Sequence, residues 1–390
     1  MMPILIESPC KYSLNIYQMG MQKEADHLAE AILHEMEYFQ SFVLEESKKG
    51  YQAFYEEMRL SNLKNHQCWI KKHWSKHQHI FAYPNELQPA RIEPYLELVQ
   101  NQHQSNIFRL ARLTWNLPYS SGYGRRLRYL VWDRSNQKLM GILGLQSPPL
   151  RLPNRDSAYR IPYEQKIDLV NQTMDAYTLG ALPPYTDLLA GKLLVLAAAS
   201  QDVRRDYEQK YNGRLTTMRK ATIDSSLIAI TTLSAYGRSS LYNRVSQGFE
   251  DGKNIWATTS LGPCEGWGTS HFSNELYQEI KKFYKLLYPQ KSVSGFGTGP
   301  KVRLQIIAAI LHDLGLPKDF MRHDIPREVF IIPHISNLEK VLAGCGDAPI
   351  YNDQSFEALA QFWKERYAFP RSQLRCSLQG NSTLFRDVAM

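Results

Sequence analysis

The side chains here with the widest chemical range are histidines and arginines. His66, Cys68, His73, His77 and His79 crowd one short stretch. His73 and His77 are four apart, which puts both on one face of a helix. Zinc takes four N or S ligands, usually as spaced pairs. With one cysteine and no matching spacing, the stretch does not follow a zinc pattern. Trp69, Trp74, Lys71, Lys72 and Lys76 interleave with it, a mixture that suits a basic, aromatic surface. No metal and no other cofactor is expected.

Other constellations are weaker. Ser294-Gly295-Phe296-Gly297-Thr298-Gly299-Pro300 precedes a helix that opens with Lys301 and Arg303. Glycines let backbone N–H groups approach an anion, but the Gly-Lys-Ser/Thr of a phosphate loop is missing and no good strand precedes it. A structural glycine loop is the better reading. Cys264 and His271 could pair as nucleophile and base, yet no orienting partner is recognisable. Arg155-Asp156 reads as an internal ion pair. His312-Asp313 reads as a helix surface, because the further ligands of a metal phosphohydrolase do not follow it.

The arginines give the clearest signal. Between Phe108 and Arg160 stand Arg109, Arg112, Arg125, Arg126, Arg128, Arg134, Lys138, Arg151, Arg155 and Arg160, against Asp133 and Asp156. That surplus of eight equals the net charge of the whole chain, +8. The planar guanidinium fork suits phosphate, so the expected partner is anionic, nucleic acid first. The competing reading pairs these arginines with carboxylates elsewhere in the fold.

These groups must be held by a fold of ordinary globular composition: 43% hydrophobic, 22% charged, over 390 residues. That length allows two or three domains. The opening MMPILIESPCK has too short an apolar run for a signal peptide. Leu188–Ser200, the most apolar stretch, is interrupted by Lys192 and is shorter than a bilayer span, so a buried helix and no membrane segment are expected. Five scattered cysteines without a CxxC suit a reducing cytoplasm.

Ala25, Leu28, Ile32, Met36 and Phe39 recur at helical steps. Gly50 is expected to break that helix, and Phe54 and Met58 continue a second one. The segment 1–100 therefore reads as helical, with a boundary around Pro84–Pro94. LRYLVW (127–132) and LMGILGL (139–145) form a hairpin around Asp133–Asn136. After Pro183-Pro184, Thr186 or Asp187 is expected to cap a helix to Ser200, and a charged helix follows to Tyr211. LIAITT (227–232) reads as a buried strand, and SSLYNRV as a short helix. Beyond it, Leu276, Ile280, Phe283 and Leu287 share one helix face, and 302–314 is another helix. The expected division is 1–100 helical, 101–265 a basic α/β core, and 266–390 mostly helical.

Many segments in order then carry a family resemblance: Gly122-Tyr123-Gly124-Arg125-Arg126-Leu127-Arg128, Gly141-Ile142-Leu143-Gly144-Leu145, Met174-Asp175-Ala176-Tyr177, Leu188–Leu193, Thr231–Ser240, Tyr242-Asn243-Arg244, Gly266-Trp267-Gly268, Ile325–Val329 and Phe369-Pro370-Arg371. The set, from about Leu87 to the C-terminus, resembles the DruA family of the Druantia anti-phage defence systems. The resemblance implies an antiviral role in a bacterium, alongside other Druantia subunits that include a helicase-like protein, in a nucleic-acid setting. It brings no catalytic residues with it. The element order is also similar to the acyl-CoA N-acetyltransferase core. The expected fold is therefore mixed α/β, with an N-acetyltransferase-like core between an N-terminal helical region and a helical C-terminal part. The loop that would hold the pyrophosphate in that fold reads Leu182-Pro183-Pro184-Tyr185-Thr186-Asp187 here. Prolines have no N–H to donate and Asp187 repels phosphate, so acetyl-CoA binding is expected to be lost.

Three functions stay open on the residues. The favoured one is a nucleic-acid-associated defence component. In it Arg109, Arg112, Arg125, Arg126 and Arg128 contact phosphates without reading sequence, with Lys192, Arg238 and Arg244 as secondary contacts and DNA as the candidate ligand. The second is an enzyme, a degenerate acyltransferase or a nuclease, drawing on acids among Asp156, Asp168, Asp175, Asp187 and Asp224. The third is a scaffold whose basic face docks another defence subunit.

Overall fold

The structure is a computed structural model. It describes residues 12–43, 48–115, 117, 120, 122–216, 220–222, 224–237, 239–250, 253–264, 266–291, 293 and 300–373. Helices α1 (Leu14–Gln18), α2 (Gln22–Val43), α3 (Lys48–Asn65) and α4 (Gln67–His77) come first. Ala25, Leu28, Ile32, Met36 and Phe39 are all buried on α2, as an apolar stripe of that spacing requires. The expected second helix carrying Phe54 and Met58 is α3, separate from α2, but Gly50 lies inside α3 and not at the break between the two. A helical glycine costs only about 1 kcal/mol, and burial of Tyr51, Phe54 and Tyr55 beside it offsets that.

Strand β1 (Pro94–Leu98) ends the helical stretch earlier than periodicity suggested, and α5 (Gln102–Leu113) follows. Asn101 and Gln104 form a capping box at its start. The expected hairpin is β2 (Leu127–Asp133) and β3 (Lys138–Gln146), and α6 (Pro153–Ala158), α7 (Lys166–Gln172) and β4 (Thr173–Ala181) come next. Helices α8 (Ala190–Ala198) and α9 (Gln201–Tyr211) lead to β5 (Ala229–Leu233). Neither Thr186 nor Asp187 caps α8: both lie in a 3-10 turn, and left-handed Leu189 (φ 58°) is the capping position. The SSLYNRV segment forms turns, not a helix, because Arg244 takes φ 59°, a conformation no right-handed helix contains.

The remainder holds β6 (Ser246–Glu250), β7 (Lys253–Ala257), β8 (Thr259–Pro263), α10 (Asn274–Leu287), α11 (Pro300–Asp313), β9 (Glu328–Pro333), α12 (Leu338–Leu342), α13 (Phe356–Trp363) and α14 (Phe369–Gln373). Strand β9 falls in the part expected to be mostly helical. Its run Val329–Ile332 is buried throughout, and a short apolar run without alternation cannot be told from a helix by period alone.

Contacts group the chain into two units. One joins Met1–Met58 with Glu265–Pro326, and the other joins Arg59–Cys264 with Arg327–Met390. Each unit joins segments distant in sequence. The first unit packs α2 against α10 and α11 through Ile32, Met36, Ile280, Phe283, Ile307 and Ile310.

The second unit is built on a seven-stranded sheet in the order β1-β2-β3-β4-β5-β9-β8. Only β4 and β5 run parallel, pairing Thr173–Ala176 with Ala229–Thr232. Alternation along β2 feeds two cores. Tyr129 and Val131 face the fully buried Leu193–Ala198 run of α8, whereas Leu130 and Trp132 pack with Ile107 and Leu110 of α5. The chain is thus mixed α/β with a mixed sheet. Among the described residues no helix is long and apolar enough to cross a membrane.

Candidate nucleic-acid interface

The arginines of the basic segment divide into braces and free cations. Arg112 is buried: its Nε donates to Thr178 Oγ1 at 3.2 Å and an Nη to the Leu117 carbonyl at 3.2 Å. Arg125 donates to the Asn171 carbonyl at 2.9 Å, and also to the Val170 carbonyl and the Tyr207 hydroxyl. Burial lowers its pKa. Both guanidiniums therefore tie strands and helix ends of the second unit together.

Arg126 and Arg128 are different. Arg126 is exposed at the start of β2. Its N–H donates to the Tyr211 hydroxyl at 2.7 Å, and its carbonyl accepts from Lys210 Nζ at 2.9 Å. Those bonds fix its backbone and leave its side chain outside. Arg128 lies over Phe108, 5.6 Å from the ring centroid, and donates to Ser105 Oγ at 3.1 Å. The end of α9 adds Lys210 and Arg214, both exposed and both against the Tyr211 ring. The Lys210 pKa is lowered, first by partial burial and then by Arg128, Arg214 and Arg126. Each of these three is thus near enough to be felt. No ion pair joins any of the four to a described carboxylate. Sequence reading missed Lys210 and Arg214. The available signal was two cations i, i+4 flanking an aromatic residue at an Asn-Gly helix stop.

Arg109 is half-buried, 4.0 Å from the centroid of the Trp69 ring, which stacks on His73 at 4.3 Å. The His73 pKa is lowered by burial, then by Lys72, Lys76 and Arg109. His77 lies 6.2 Å from His73 and 4.8 Å from His103. The histidine stretch is therefore an aromatic, basic stack. No group of three or more His, Cys, Asp or Glu among the described residues is arranged to hold a metal.

Lys192 and Arg244 meet near the start of α8. Lys192 Nζ donates to the Ser240 and Asn243 carbonyls at 2.9 and 2.8 Å. Burial, with Arg366 and Arg244 nearby, lowers its pKa to about 8. Arg238 lies outside the described residues, as do Ser294–Gly299, Cys10 and Cys376.

The remaining constellations are structural. Arg155 and Asp156 form the expected internal ion pair at 2.7 Å, with Lys166 on the same carboxylate at 3.0 Å. His312 is exposed, while buried Asp313 accepts from the Tyr288 hydroxyl at 2.7 Å. Buried His271 donates from Nε2 to the Phe320 carbonyl at 2.7 Å, and it belongs to a different unit from Cys264. Asp175 is buried and accepts from Gln146 Nε2 at 3.1 Å and Thr231 Oγ1 at 3.0 Å. Desolvation raises its pKa to about 6.

Comparison with known proteins adds the family. The family model described as Druantia protein DruA matches residues 45–344. The Druantia protein DruA of Escherichia coli (strain UMEA 4076-1) is 36% identical over 329 residues, covering 84% of this chain and 80% of that protein. No solved structure matches. A family model that matches residues 45–344, together with a relative 36% identical over 84% of the chain, makes this protein a member of the DruA family.

Proposed function

We propose that this chain is a cytoplasmic component of a Druantia-type anti-phage defence system that contacts nucleic acid through phosphates, alongside partner subunits that include a helicase-like protein. Family membership supports the defence role. The observation that carries the nucleic-acid reading is the cluster of Arg126, Arg128, Lys210 and Arg214 at the start of β2 and the end of α9, where three arginines act on Lys210 against the single carboxylate of Asp206 and no ion pair to a described carboxylate ties up any of the four. Like charges held together on a surface repel, at a cost that a polyanion removes by releasing its counterions. The test is binding of the purified chain to labelled single-stranded and duplex DNA over a salt series. Affinity that falls steeply with salt supports phosphate contact. No binding at low salt overturns it and shifts the role of this surface to docking an acidic partner protein.

The α/β core is read as N-acetyltransferase-like, on the support of a parallel β4–β5 pair within an otherwise antiparallel sheet. Acyl-donor binding is not part of the proposal. In the turn before α8, Thr186 N–H is spent on the Leu182 carbonyl, Asp187 N–H on Pro184 and Leu189 N–H on Thr186. Pro183 and Pro184 offer no N–H.

A further inference from the structure

We infer that Trp267, in the first unit, is a stacking platform for an unpaired nucleobase, with Lys318 and Arg322 beside it for the adjoining phosphates. The inference rests on the nucleic-acid reading above and adds the strand state of the ligand. It concerns Gly266-Trp267-Gly268, a segment to which the phosphate-binding cluster assigns no role.

Trp267 is 43% exposed, although a tryptophan side chain is ordinarily among the most buried on average. Its exposure does not come from a loose backbone. Trp267 pairs with Arg322 in an antiparallel bridge. On either side, His323 N–H donates to the Gly266 carbonyl at 2.9 Å and Gly268 N–H donates to the Met321 carbonyl at 2.9 Å. The two glycines allow this close approach. Gly266 has φ +74°, and a Cβ on it would stand 3.2 Å from the Asp324 backbone; a Cβ on Gly268 would stand 3.3 Å from the His323 ring. Beneath the bridge Phe320 and Met321 are buried, and His271 holds the Phe320 carbonyl. The indole is thus presented outward from a fixed backbone, which limits the entropy lost when a ligand stacks on it.

The surroundings select the ligand. Lys318 Nζ lies 5.8 Å and the Arg322 guanidinium 5.7 Å from the indole centroid. Asp324 holds Arg322 at 3.0 Å; Lys318 has no ion pair with a described carboxylate. An exposed aromatic ring flanked by cations matches a single strand, whose bases offer free π faces between phosphates. A duplex keeps its bases stacked and does not. Both cations sit on exposed side chains, so a base that takes the ring face leaves Lys318 free to turn to a neighbouring phosphate, while Arg322, held by Asp324, can offer only the guanidinium donors that Asp324 does not take.

The experiment uses the full chain with Trp267→Ala and Trp267→Phe, each checked for an unchanged melting temperature. The probes are a labelled oligothymidylate of about fifteen nucleotides, several stacking steps long, and a duplex of equal length. The alanine variant is expected to bind the single strand roughly tenfold more weakly, with duplex binding unchanged and phenylalanine restoring most of the loss. Unchanged single-strand affinity overturns the inference, as does an equal loss on both probes, which would mark a general surface contact. If the wild-type chain binds neither probe, the nucleic-acid reading itself fails, a result distinct from a defect confined to the Trp267 variants.

Discussion

The basic surface around Tyr211 and the one around Trp267 are built in opposite ways. Around Tyr211 four cations gather, while the ring is half-buried, covered by Lys210 and Arg214, with its hydroxyl used by the Arg126 backbone. Around Trp267 the ring is the exposed element, and of its two cations Arg322 is already tied to Asp324. The first arrangement is one of charge, which phosphate satisfies whatever the strand state. The second is one of ring area, which only an unstacked base satisfies. Two basic–aromatic clusters of similar composition are therefore expected to differ in what they read.

The comparison is broken most directly at the first surface. Arg126→Glu with Arg214→Glu should weaken single-strand and duplex binding alike, by roughly a hundredfold at low salt, and reduce the slope of log affinity against log salt by about two. A loss confined to single strands, measured by fluorescence anisotropy, would erase the contrast.

Next in size is a test of which arginines belong to that surface. Arg125→Ala removes bonds to Val170, Asn171 and Tyr207. It should cost about 2 kcal/mol of stability in a denaturant titration, whereas Arg126→Ala should stay within about 0.5 kcal/mol. Equal costs would show that the division into braces and contacts is drawn wrongly. The tenfold, strand-selective effect at Trp267 is smaller again and sharpens the other side of the comparison.

The smallest expected effect concerns what acid does within each unit. In the first unit, burial lowers the His271 pKa to about 4, so its contribution is present above the usual histidine range and is lost as pH falls from about 6.5 towards 4. In the second, the Asp175 pKa is raised to about 6. The native state there binds the extra proton, so stability from this group is present at low pH and lost as pH rises from about 4 through 6. His334, whose pKa burial lowers to about 3, opposes Asp175 within the same unit, so a variant difference is needed to isolate it. Asp175→Asn should gain on the order of 1 kcal/mol at neutral pH. The gain should shrink towards pH 4, where the wild-type carboxyl is already protonated and the ionisation penalty that the variant removes is absent. A gain constant with pH would mean that ionisation of Asp175 is not its source.

Much of this architecture was legible in local pattern. The α2 stripe and the α10 face repeat at helical steps over enough residues to fix their type, the β2–β3 hairpin is two short apolar runs about one turn, and α8 follows a Pro-Pro break as a long apolar run. Strands β1 and β9 were not legible. Five or six residues hold too few repeats, and their hydrogen-bond partners β2 and β5 are remote in the chain. The candidate site divides in the same way. Its charge surplus could be counted along the sequence, but Arg112 and Arg125 could not be told from Arg126 and Arg128, since all four are arginines in one basic segment.

The sequence by itself determined the mixed α/β class, the surplus of eight positive charges between Phe108 and Arg160, and the resemblance to the DruA family. These depend on residue type and order, which are local properties. Only the tertiary structure decided which cations face outward, that Lys210 and Arg214 join Arg126 and Arg128, and that two glycines hold Trp267 in the open. Those outcomes depend on which distant carbonyls, rings and carboxylates come within about 3–6 Å of each side chain, and chain order does not specify such distances.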